Sequence, residues 1–146
     1  MATATVRWLS GKKFIGTDST NHSVVISTPD EGIGMKPSEL LLVALASCTA
    51  VDVVEILRKK RIELTGLEIS ANGEQQADPP WTFRKVHLVY RVRGKGLTQE
   101  AAEMAVRLSE EKYCSVASTV RGAAEITTEI IILPQEEFVP ELISAN

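Results

Sequence analysis

The 146 residues hold only two histidines and two cysteines. Neither HExxH nor CxxC spacing occurs among them, so a zinc site would have to be assembled from scattered side chains. Phosphate-cradling loops are also missing. No glycine-rich stretch ends in GK[ST], and the lone GIG at 32–34 precedes a helix without a fitting strand-turn context, so it reads as a plain loop; the nucleophile motif GxSxG is absent as well. A basic face is lacking too: the net charge of −3, without a compensating basic stripe, argues against nucleic acid as a partner. The N-terminus MATATVRWLS has no signal-peptide design, and no uninterrupted apolar run reaches the ~18 residues of a spanning helix, which gives the expectation of a cytoplasmic protein without a membrane partner.

What is present is globular. A content of 44% hydrophobic and 24% charged residues suits one domain, residues 1–146, with a core that needs no disulfide or metal staple. Alternating apolar positions predict three short strands, about Thr3–Ser10, Lys12–Thr17 and His22–Thr28. The loop TPDEGIGMKP then leads to a helix from Pro37 to Arg61. Proline suits its first turn, Glu39 its positive end and RKKR at 58–61 its negative end. Leu40 to Leu57 is apolar on nearly every side, which implies burial all round and a partner subunit to complete it. Two half-buried antiparallel strands follow, one through Ile62 to Ala71 and one through Val86 to Val92. Thr98 can cap a helix reaching Lys112. A short helix over Ser115–Arg121, the strand EITTEIIIL and a tail, PQEEFVPELISAN, complete the chain.

With metal and nucleotide chemistry set aside, thiol chemistry remains. Two cysteines in a reducing compartment stay as thiols and point to redox chemistry or to burial. Cys48 lies mid-helix and by itself reads as a core residue. Cys114 lies at a helix start, where free N–H groups favour a thiolate, although a boundary residue tucked under the sheet fits equally well.

The segment KPSELLLVALASCTAVDVVEILRKKR, with Pro37 eleven residues before Cys48, resembles the central helix of the OsmC/Ohr family, the osmotically inducible and organic-hydroperoxide-resistance proteins. EKYCSVASTVRGAAEITTEI resembles the second cysteine motif of that family, in a less-studied OsmC-like branch. The resemblance implies an α+β fold with antiparallel sheets packed on long central helices in an intertwined homodimer, active sites forming where the subunits meet. It further implies that Cys48 is the peroxidatic thiol and Cys114 the resolving one. The substrate would be a small hydrophobic organic hydroperoxide lined by Leu41 and Leu45, and an external dithiol, with no bound cofactor, would regenerate the pair in oxidative stress defence.

Peroxidase members resembled here place a glutamate directly after the helix-starting proline and draw an arginine from the N-terminal strands. In this chain Ser38 follows Pro37, the carboxylate arrives at Glu39, and no arginine lies between Arg7 and Arg58. Glu39, Lys13 and His22 are therefore the candidates for supporting the thiolate. Each has a plainer reading, respectively as a first-turn carboxylate, a turn lysine and a strand-end histidine. Asp52, one turn after Cys48, is expected to bond a backbone group or a partner-chain residue. A second functional expectation is a catalytically weak dimer of the same fold that binds a small hydrophobic ligand or senses oxidation.

Overall fold

The computed structural model describes residues 1–135, so the tail expected after Leu133 lies mostly outside the described residues. The chain forms two compact units, Met1–Ala44 and Leu45 onward.

The first unit is a meander of β1 (Ala4–Ser10), β2 (Lys13–Asp18) and β3 (Ser23–Ser27), antiparallel throughout. Turn chemistry sets its register. Gly11 takes a positive φ and its carbonyl accepts from Trp8 Nε1 at 2.8 Å. Asn21 occupies the left-handed region that asparagine tolerates, while the Asp18 carboxylate collects the N–H groups of Thr20 and His22. The GIG segment does more than connect. Gly34 lies so close to β3 that a Cβ there would sit 2.7 Å from the Val25 carbonyl, and this approach lets Met35 N–H reach Val25 O at 2.9 Å.

Helix α1 runs Pro37–Lys59 and crosses the division between the units. It ends two residues before Arg61 because Arg61 adopts φ 60°, and the N–H of Ile62 closes back on Leu57 O at 3.1 Å in the manner of a Schellman cap. Within this chain it is not buried all round. Leu45, Thr49, Val53 and Leu57, spaced four apart, form one buried stripe, whereas Leu41, Val43, Val51 and Val54 are exposed. By length and hydropathy α1 could also cross a membrane, a test that core helices pass equally.

The second unit builds its core on β5 (Phe83–Lys95), whose Val86, Leu88, Tyr90 and Val92 are all buried on one face. β4 (Glu63–Gln75) pairs with it antiparallel, but β6 (Glu125–Ile132) pairs parallel, which corrects the expectation of purely antiparallel sheets. A parallel partner needs a crossover of a dozen or more residues. Helix α2 (Gln99–Leu108) and helix α3 (Ser115–Arg121) supply it. Thr98 caps α2 as expected, its Oγ1 accepting from Ala101 N–H at 3.1 Å. Regular helix ends at Leu108, short of Lys112, because Ser109–Tyr113 form a π turn.

Candidate active site

Cys48 sits on α1 one residue from the buried stripe and is half-buried, while Cys114 is 3% exposed. The Cys48 thiol lies near enough to Cys114 to raise its pKa. Cys114 is also the N-cap of α3, its Sγ accepting from Ala117 N–H at 3.2 Å.

The helix start was expected to favour a Cys114 thiolate, and the balance falls the other way. Burial pushes its pKa up to about 11, the contact with Cys48 adds to the rise, and the Ala117 N–H offsets only part of it. The backbone N–H groups of Ala117 and Val116 do not replace the lost hydration of a sulfur anion. Both cysteines are free thiols.

A polar network that sequence patterning does not reveal surrounds the pair. Tyr90, fully buried on β5, donates to Glu110 Oε1 at 3.2 Å. Burial raises the Glu110 pKa, which the Tyr90 hydrogen bond and the Arg121 charge partly counter. Arg121 donates to the Glu110 carbonyl at 2.9 Å and holds Oε2 at 3.8 Å. Within the chain Asp52 bonds a side chain and not the backbone group that was one of its expected partners. Its Oδ2 accepts from the Oγ of Ser109, a fully buried residue, at 2.8 Å.

The remaining candidates lie in the first unit, each with a local partner. Lys13 pairs with Glu31 at 3.1 Å, Glu39 pairs with Lys36, and His22 Nδ1 lies 2.8 Å from Thr20 Oγ1. Leu45, expected in a substrate wall, is fully buried and cannot line an open one. A cleft of about 350 Å³ opens beside Asp52, Ile56, Leu108 and Tyr113, and neither cysteine lines it.

Residues 29–129 match the family model described as OsmC-like protein. The chain belongs to the OsmC-like family. The matched span includes both cysteines. Among relatives of this OsmC-like chain, Protein YhfA of Escherichia coli K12 is 35% identical over 124 residues, covering 85% of this chain and 92% of that protein. A hypothetical protein from Aquifex aeolicus has the same OsmC-like architecture, with a TM-score of 0.79 at 31% identity over 92% of this chain and 98% of the other. The organic hydroperoxide resistance protein OhrB of Bacillus subtilis shares the fold at a TM-score of 0.61 and 21% identity, over 89% of this chain and 97% of that one.

Proposed function

We propose that this OsmC-like protein is a thiol-dependent peroxidase that reduces small hydrophobic organic hydroperoxides in the cytoplasm as part of oxidative stress defence. The observation that carries the reading is the link between the two cysteine-bearing segments: Ser109 Oγ bonds Asp52, one turn from Cys48, and Cys114 N–H bonds Ser109 O, with the Cys48 thiol near enough to raise the Cys114 pKa. A disulfide between the two cysteines requires their Cα atoms to lie within roughly 7 Å of each other.

The asymmetry of the pair assigns the roles. Cys114 is buried and holds its proton, so it is poorly suited to meet a substrate first, and Cys48 is the more accessible sulfur. Cys48 attacks the terminal oxygen of the O–O bond and becomes a sulfenic acid, while the alkoxide departs and takes up a proton as the alcohol. The Cys114 sulfur then attacks the Cys48 sulfenic sulfur, forming the S–S bond and expelling the hydroxyl, which leaves as water with the Cys114 proton. An external dithiol reduces the disulfide by exchange and is itself oxidised.

The exposed apolar side chains of α1 support a homodimer in which a second copy covers what this chain leaves open. The test is hydroperoxide consumption with dithiothreitol as reductant. The wild-type protein consumes cumene hydroperoxide catalytically and Cys48→Ser does not. Turnover by Cys48→Ser at the wild-type rate contradicts the reading.

A further inference from the structure

Cys48 and Asp52 lie on the same side of α1, one turn or about 6 Å apart. Ser109 and Cys114 are joined across the π turn by the bond from Cys114 N–H to Ser109 O, 2.8 Å. One hydrogen bond connects these edges, Ser109 Oγ–H to Asp52 Oδ2 at 2.8 Å, and at the other end Cys48 lies near enough to Cys114 to raise its pKa. The four residues make a frame in which Ser109 bonds α1 through its side chain and Cys114 through its backbone carbonyl.

The π turn is what closes the frame. In a regular α-helix the residue five places on points about 140° away from the first, whereas the i→i+5 bond brings Cys114 back to the carbonyl of Ser109. Ser109 is fully buried, so its hydroxyl has no water to turn to and its bond to Asp52 is retained.

We propose that Ser109 is a positioning residue for the cysteine pair: anchored to α1 through Asp52 and to Cys114 through its carbonyl, it fixes the separation of the two sulfurs and thereby the effective concentration of one thiol at the other. This rests on the reading that Cys48 and Cys114 form a disulfide. It adds a determinant of how readily that bond closes. Without the side-chain bond, Cys114 is held through its backbone alone and samples positions from which closure is unproductive.

The test is equilibration of the full-length protein with reduced and oxidised glutathione and no peroxide, followed by acid quench and mass measurement of the Cys48–Cys114 linkage. Two protein thiols are oxidised to one disulfide as one oxidised glutathione becomes two reduced ones. Ser109→Ala is expected to shift the midpoint toward easier reduction by about tenfold, or about 30 mV. Asp52→Asn, which keeps an acceptor oxygen for the Ser109 hydroxyl, is expected to stay within threefold of wild type, and Asp52→Ala to follow Ser109→Ala. A loss of packing alone lowers the melting temperature of the reduced protein without moving this equilibrium.

A Ser109→Ala midpoint within twofold of wild type, in a folded protein, overturns the proposal. Should that variant not fold, the same limit applied to Asp52→Ala decides it. A wild-type protein that forms no linkage at any glutathione ratio overturns this proposal together with the disulfide step of the peroxidase. A shifted midpoint in a protein that consumes no hydroperoxide leaves the positioning role standing and removes only the peroxidase.

Discussion

Tyr90 donates its phenolic hydrogen to Glu110 Oε1 at 3.2 Å, tying the buried face of β5 to the π turn that leads into Cys114. The bond joins two groups that burial drives toward their neutral forms, the phenol and the carboxylic acid. Removing the phenol leaves the carboxyl without its donor. Tyr90→Phe is expected to cost about 1–3 kcal/mol of unfolding free energy, measured by urea denaturation.

The same carboxyl gives a pH signature. The folded-state pKa of Glu110 is raised above its ordinary value of 4.5, so the native protein holds this proton where the unfolded chain has released it. The resulting contribution to stability is fully present below about pH 4.5 and is lost as pH rises through the raised value. The difference in urea stability between wild type and Glu110→Gln is therefore expected to fall with rising pH over that window and to be flat below it.

Thiol labelling is expected to be unequal. With its pKa pushed up from 9.0 to about 11, Cys114 has roughly a hundredfold less thiolate at neutral pH than an ordinary cysteine. Iodoacetamide at pH 7 should modify Cys48 first. The Cys114 rate should climb about tenfold per pH unit toward pH 11, as followed by peptide mass analysis.

How much of this was legible in the sequence follows from the range of the interactions. α1, its capping charges and the alternating strands depend on near neighbours and are found close to the expected bounds. The π turn was not legible, since SEEKY has helical composition and only the placement of Ser109 against Asp52 shows why the helix widens. Nor was Tyr90, whose place in an alternating strand reads as simple core until its hydroxyl meets Glu110 twenty residues later. Cys114 was located at a helix start, yet burial, a tertiary property, reversed the expected direction of its pKa.

Gly34 offers a test of local geometry in the first unit. A Cβ there would meet the Val25 carbonyl at 2.7 Å and the Ile26 nitrogen at 2.8 Å, both of them backbone atoms. Gly34→Ala is expected to destabilise by about 1–3 kcal/mol, because β3 or the loop must shift, and a lowered thermal midpoint will register it.

The exposed side of α1 makes a prediction about assembly. Val51, with 69% of its surface exposed in the single chain, is expected to be covered by a second copy. Val51→Asp should weaken association about a hundredfold, roughly 3 kcal/mol, seen as a fall from dimer to monomer mass in sedimentation equilibrium.

The most direct measurement is a stoichiometric titration of the reduced protein with cumene hydroperoxide, quenched with acid and analysed by mass spectrometry of the cysteine peptides. One equivalent of peroxide per chain is expected to consume both thiols and give a Cys48–Cys114 disulfide within one chain, while Cys114→Ser stops at a Cys48 sulfenic acid trapped by dimedone. Persistence of both thiols, or an oxidised Cys48 beside an untouched Cys114 in the wild-type protein, contradicts the two-cysteine account.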